Sequence, residues 1–398
     1  MGVRLPLERR PSQGKPERPA NDGRPRAYRD KDTRTGPNVR KALFLGTGAL
    51  MLVAVGVLAG YFMGRVPPPS IIWEVGHAMR LCSGDAGFLL STDSGLVLGT
   101  VGGGVIPVEM SAEQAILVGS SAVTARDGHL IAAAPGSPER PIAQASSDEF
   151  LLGAGNGCCY TARPKDGLSF GTNWLLRRVT LSGDTSWEAT LTATPVICVE
   201  TGDRVFIGSI DLPSGTLARL YAIHKPNGQL LWEREVGTGF WRDIFPKEDG
   251  TVLAVTGSSL TALSDLGHIR WTYQPPAPIA GAAEVGDSVA LCYEPSGLTG
   301  KLMTPNVALV SSSGELLWVK APAKRVVSVA DWESADGSEP EQCVVALSET
   351  HVIALSQEDG RELWRTPAGG QPLELKGGFL LVRHGSGLRL VRPSRPKP

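Results

Sequence analysis

Short apolar runs separated by polar turns fill the second half of this chain. Leu-Tyr-Ala-Ile-His ends at His224, Leu-Thr-Ala-Leu-Ser at Ser264, Val-Ala-Leu-Val-Ser at Ser311 and Val-Ile-Ala-Leu-Ser at Ser356. A polar turn follows each run and carries a glycine, and four residues beyond each glycine stands a tryptophan. The pairs are Gly228/Trp232, Gly267/Trp271, Gly314/Trp318 and Gly360/Trp364, with Gly183/Trp187 as a fifth. Successive tryptophans lie 45, 39, 47 and 46 residues apart. A run of about five residues is a strand long enough to cross one small sheet. The glycine supplies the positive φ that a tight hairpin needs. The tryptophan brings an aromatic area that a single sheet cannot bury alone. Repeats of this length and pattern predict an all-β fold, a β-propeller with one four-stranded sheet per blade. A sandwich with scattered tryptophans would not hold both a fixed offset and a fixed period.

The ends of the repeat complete each other. Leu373 to Lys376, Phe379 to Arg383 and Leu388 to Arg392 are three strands lacking a fourth. Ile71-Ile72-Trp73-Glu74-Val75 resembles the strand around Trp232 but has no strands of its own before it. Residues 70–75 are therefore expected to complete the last blade and close the ring, leaving no open edge. The stretch 76–137 is less regular, with seven candidate strands that make one large blade or two degenerate ones. Asp127-Gly128 is read there as the turn before the tryptophan position, which Ala132 occupies. The total is seven or eight blades, and strand count favours eight.

Hydropathy divides the remainder. Ala42 to Gly64 is a run of twenty-three residues without a charge, bounded by Arg40-Lys41 and Arg65. A helix of that length crosses the roughly 30 Å hydrocarbon core of a bilayer. Tyr61 and Phe62 lie near its far end, where aromatic rings favour the interface. The segment before it is long and the apolar run extended, so an uncleaved anchor is expected rather than a cleaved signal peptide. Within the run Gly56, Gly60 and Gly64 recur every four residues, a spacing that allows a second helix to approach and a homodimer to form. Residues 1–41 hold twelve Lys/Arg against five Asp/Glu and little apolar periodicity, which predicts a disordered basic tail. Basic residues on the N-terminal flank keep that end in the cytoplasm and send the propeller out. That excess is read as a topology signal and not as a nucleic-acid site. The expected order is a tail at 1–41, a spanning helix at 42–64, a proline-rich spacer at 65–69, a propeller at 70–392 and a basic tail at 393–398.

The blades from about 139 to 392, with Tyr-Ala-Ile-His-Lys-Pro-Asn-Gly-Gln-Leu-Leu-Trp ending at Trp232 as the clearest copy, resemble the quinoprotein-like repeat. That family includes alcohol dehydrogenases using pyrroloquinoline quinone. It also includes non-enzymatic propellers such as the lipoprotein subunit of the outer-membrane protein assembly machinery. Fold alone does not choose between them. For the dehydrogenases the resemblance implies a vicinal disulfide at Cys158-Cys159, a calcium site and a catalytic aspartate. The last two find no matching residues here. Neighbouring strand residues point to opposite faces, so the bland alternative for Cys158 and Cys159 is buried free thiols, as for Cys82, Cys198, Cys292 and Cys343. Gly167-Leu168-Ser169-Phe170-Gly171 fits a nucleophile-elbow pattern but has no helix to follow it. Gly153-Ala154-Gly155-Asn156-Gly157 lies in no crossover unit that would make it a dinucleotide loop. No catalytic residue, cofactor site or metal site emerges.

Connectivity then assigns faces. With strands A to D named from the centre outward, B–C and D–A connections share one face, while the chain enters and leaves on the other. The long connections at about 155–173, 210–219 and 294–306 fall on the first face, where binding loops are expected. Phe240-Trp241-Arg242-Asp243 opens strand A of its blade on that face and has the composition of an interaction hot spot. Trp73, Trp187, Trp232, Trp271, Trp318 and Trp364 are expected in the seams between blades. Trp332 to Glu341, on the opposite face, reads as a solvated acidic loop. These features together predict an extracytoplasmic, single-pass propeller that binds a protein or envelope component without catalysis. A quinone- or ligand-binding sensor or dehydrogenase is one alternative, and a tether for a cytoplasmic partner of the basic tail is another.

Overall fold

The computed structural model describes residues 69–84, 86–110, 112, 114–167, 173–211, 216–294, 306–332 and 343–393. The basic tail, the apolar run with Gly56, Gly60 and Gly64, the spacer before Pro69 and the tail beyond Pro393 lie outside these residues. So do four of the five elbow residues. Among the described residues no helix is long and apolar enough to cross a membrane.

The described residues form eight four-stranded antiparallel sheets. Blades 1 to 7 each use consecutive strands, over 78–108, 116–144, 150–191, 194–238, 241–273, 279–320 and 326–367. Blade 8 combines Gln371–Lys376, Phe379–His384 and Gly387–Arg392 with Ser70–Val75 as its outermost strand. Ser70 pairs with Arg392 and Val75 with Leu388, so the first strand seals the ring against the last. The irregular stretch holds the seven strands expected of it, and Arg140–Gln144 is the eighth, giving two blades.

Two local expectations were misplaced there. Asp127-Gly128 is the B–C hairpin of blade 2, and Ala132 belongs to its strand C. The D strand is Arg140–Gln144, where the backbone of Ile142, rather than an aromatic ring, lies against Gly183 of blade 3. The connection expected at 155–173 begins only after Pro164, because Cys158–Pro164 is strand B of blade 3. A B strand and a long loop are both rich in small residues here, and only pairing separates them.

Strands B and C lie between two neighbouring blades, and strand B is buried throughout in Val252–Thr256, Ser288–Tyr293 and Cys343–Ser348. The core is consequently divided. Each of the eight seams holds its own apolar cluster, including one that joins Trp73 and Leu390 of blade 8 to Phe88 and Leu90 of blade 1.

The repeat's glycine and tryptophan belong to one contact made between blades. A Cβ on Gly228, Gly267, Gly314 or Gly360 would stand 2.6–2.7 Å from the indole of Trp187, Trp232, Trp271 or Trp318 respectively, each on the preceding blade. Those four indoles donate to a carbonyl of the same turn, at Lys225, Asp265, Ser312 and Gln357. Trp73 repeats the contact across the closure, lying over Gly99 and donating to Thr100. Trp364 departs from the pattern, because the next C–D turn is the place where the chain enters and leaves. Its indole N–H has no partner among the described residues, and its ring packs edge-on against Trp332 at 5.1 Å. Trp332 is buried in the seam between blades 7 and 8, where the sequence had suggested solvent.

Candidate functional site

Strand D of blade 4, Leu230–Thr238, has Gly237 as its next-to-last residue, and Gly239 follows in the connection to blade 5. Both have positive φ, 150° and 86°. A side chain at Gly237 would run into the hydroxyl of Ser259. The connection is pinned on both sides, with Gly239 N donating to Thr216 O at 2.7 Å and Gly257 N to Phe240 O at 2.8 Å. This backbone holds the next four residues in fixed and quite different surroundings.

Phe240 is 66% exposed. Trp241 turns back onto blade 4, over Gly208, and donates from Nε1 to Ser209 O at 2.9 Å. Arg242 sits at a bulge between Trp241 and Asp243. It reaches across to blade 6, donating to Ile279 O at 2.7 Å and to Glu294 Oε1 at 2.8 Å. Asp243 keeps the Ile244 amide at 2.8 Å. Of the expected hot spot, Phe240 therefore faces solvent, while Trp241 and Arg242 brace it from the two neighbouring blades.

Beside Phe240 lies a cleft of about 310 Å³ lined by Thr194, Val196, Ile197, Ile210, Phe240 and Trp241. Val196 is 44% exposed, so two large apolar side chains meet water at one place. A second groove, about 500 Å³, runs along the other side of the connection past Thr238, Ser258, Ser259, Thr272 and Gln274. No charged side chain lines either. Two further hollows on the opposite face, about 620 and 400 Å³, flank the 246–251 turn and are lined by Asp203, Lys247, Asp249, Arg270 and Glu284 among others. Lys247 is bonded to Glu284 there, and much of the charge is internally matched.

Burial pushes the Asp243 carboxyl up to about 6, against the pull of the Ile244 amide. The folded chain thus carries an ionised, desolvated carboxylate at pH 7. That cost is relieved as pH falls through about 6 toward the unfolded value. Asp243→Asn is expected to raise stability at pH 7 by up to about 3 kcal/mol and to flatten the gain between pH 6 and 4. Urea midpoints at pH 7.5 and 5 check it. Parallel curves for the two proteins would mean that the carboxyl does not titrate in this range.

Cys158 and Cys159 are free thiols on opposite faces of one strand, in the seams toward blade 4 and blade 2. The vicinal disulfide is absent, since each side chain points into a different apolar cluster. All six cysteines are free. Burial, then the Glu200 charge, raises the Cys158 thiol; burial lifts Cys159 to about 12 and Cys292 to about 11. These thiols are held away from the nucleophilic thiolate.

Sequence reasoning passed over the seam between blades 3 and 4. There Glu200 accepts from Tyr160 OH at 2.5 Å, the Asn156 amide at 3.2 Å and Lys225 Nζ at 3.2 Å, with Cys158 Sγ at 3.5 Å. Gly153 and Gly155 make the approach possible, because side chains there would collide with Cys198 and Glu200. A second buried carboxylate, Glu149, is held by Thr161 and by Arg177 at 2.7 Å. A glutamate closing the apolar stretch Pro-Val-Ile-Cys-Val was the available signal. Among the described residues no group of three or more His, Cys, Asp or Glu is placed to hold a metal ion.

Residues 174–321, over a third of the chain, match the family described as outer membrane protein assembly factor BamB. Among solved structures, BamB from Moraxella catarrhalis is similar at 15% identity and a TM-score of 0.54, over 81% of this chain and 99% of that one. The dihydro-heme d1 dehydrogenase NirN in complex with DHE is similar at 10% identity and a TM-score of 0.52, over 74% of this chain and 66% of that one. No curated protein sequence matches significantly. At these identities the structural likeness shows the fold alone, a β-propeller.

Proposed function

We propose that this propeller is a protein-binding module, anchored to a membrane by residues 42–64 and held outside the cytoplasm, that engages its partner through the face bearing Phe240. One observation carries the proposal: Phe240 and Val196 stand exposed beside an uncharged apolar cleft whose backbone is pinned from two blades. A rigid aromatic next to a dry hollow is the usual anchor of a protein interface. The absence of charge along both grooves favours a segment presenting an aliphatic or aromatic side chain on a neutral surface. This face lies opposite the one where the chain enters and leaves, so an anchored propeller would present it outward. The matched family description, an assembly factor, supports a binding role, and no catalytic step is assigned.

The test places a photo-crosslinking amino acid at 240 and, as a control, at 317 on a distant part of the rim, in the full chain in its own envelope. A discrete adduct is expected from 240 only. Its yield should fall at least tenfold when Val196→Asp is added, with the urea midpoint unchanged within about 0.5 kcal/mol. Equal labelling from both positions overturns the proposed face. Orientation is checked separately by proteolysis of spheroplasts, which should degrade the propeller and spare the N-terminal tail.

A further inference from the structure

The blade that closes the ring also forms an unusual piece of its rim. Ser70–Val75 is the outermost strand of blade 8, and it begins on the A–B/C–D face. Ile71 on it is 54% exposed. Next to it lies the C–D turn of blade 1, joined through Trp73, whose Nε1 donates to Thr100 O at 3.0 Å. A Cβ on Gly103 would stand 3.6 Å from Ile72. The turn leads directly into Val105 and Ile106, 37% and 39% exposed. From Gly95 to Val108 there is no charged residue, nor is there one from Val66 to Trp73. Exposed aliphatic side chains, exposed glycines and proline thus form one uncharged strip around the point where the chain enters the ring. The charges bordering it include a basic one, Arg392, which pairs with Ser70 and lies over the Phe379 ring at 5.1 Å.

Other aliphatic side chains on the rim lack this setting. Leu230, Leu231, Leu316 and Leu317 are also exposed, but Glu233, Arg234 and Glu315 stand among them, and they belong to blades 4 and 6. What distinguishes the strip is where the chain comes from. Five residues, 65–69, separate the end of the apolar run from Ser70, and three of them are proline. In an extended polyproline conformation they reach roughly 16 Å. If residues 42–64 span a bilayer, the edge of blades 8 and 1 cannot leave the lipid surface by more than that distance.

We infer that the strip formed by Ile71, Val105 and Ile106 rests in the interfacial layer of the bilayer that holds the chain's own apolar run. The inference rests on the anchoring proposed above. Apolar side chains brought within reach of a lipid surface gain by entering it, and an uncharged strip loses no ion hydration in doing so. Contact at this edge fixes the ring's tilt and leaves the Phe240 face clear of lipid.

The full chain is placed in nanodiscs of phosphatidylcholine containing a lipid with a photoreactive acyl chain, and lipid adducts are mapped by peptide. Peptides covering 69–73 and 101–107 should carry at least fivefold more adduct than the peptide covering 314–320. Val105→Asp with Ile106→Asp should bring them down to that level without shifting the urea midpoint. The pattern should persist in 0.5 M NaCl, since burial of apolar surface is not screened. An even distribution around the rim overturns the inference. Loss of the adducts in salt does so too, because the contact would then belong to Arg392 and the basic tail. A chain that alkaline carbonate strips from membranes fails the anchoring. Vesicles added to that same chain still read the strip by the same adducts, so the two failures are distinguishable.

Discussion

Gly267→Ala is expected to lower the stability of the propeller by about 2–5 kcal/mol, read as a fall in the urea midpoint. Two costs combine. Gly267 has φ of 76°, where an L side chain is strained by about 1–2 kcal/mol. Its new methyl would also stand 2.6 Å from Cδ2 of Trp232, which is fixed by its bond to Asp265 O at 2.9 Å. Overpacking of a fixed ring costs about 1–3 kcal/mol more. Gly202→Ala is the control. Gly202 has φ of 48° with open space around its Cβ position, so it should show the strain alone. If the two variants lose the same amount, the glycine serves only its own turn, and the seam is not built on that contact.

Glu200→Ala should be comparably damaging, at about 3–5 kcal/mol, because it strands the partners of a buried charge. Tyr160 is fully buried and would lose the acceptor of its hydroxyl, and Lys225 its carboxylate. The pH dependence gives an independent sign. Burial works to raise the Glu200 carboxyl, but the bonds from Tyr160, Asn156 and Lys225 outweigh it and hold the group below its usual value. A depressed carboxylate contributes stability that is present above the unfolded value near 4.5 and lost as pH falls through the folded one. Glu200→Gln should therefore flatten the acid limb below about pH 4.5 while keeping the side chain's volume. An unchanged acid limb, with an unchanged midpoint for the alanine variant, would show the network to be ornamental.

These two positions illustrate what a reading of the chain reaches. Gly267 and Trp271 were visible because they recur with their neighbours at a fixed offset. The contact itself joins Gly267 to Trp232, thirty-five residues earlier, and the period alone does not say which pair touches. Glu200 was legible only as an odd residue at the end of an apolar stretch, since its partners come from one other strand and two turns. The hot spot was half legible. Its composition marked Phe240 to Asp243, yet the bulge at Arg242 and the pinned loop leave Phe240 exposed and the other three only partly so. For Cys158 and Cys159 the family resemblance implied a bond while strand alternation, read from the chain, favoured buried thiols, and the fold adds which seams they enter.

By itself the sequence determined the repeat, the closing of the ring by residues 70–75, and the apolar run that motivates the anchor. Each is a local pattern, set by hydropathy and turn chemistry within a few dozen residues. Only the tertiary structure decided that there are eight blades, that the Trp364 indole N–H has no partner among the described residues, and that Ile72 of the closing strand adjoins the Gly103 turn of blade 1. Those facts depend on residues brought together around the ring from distant parts of the chain, and proximity of that kind leaves no period to read.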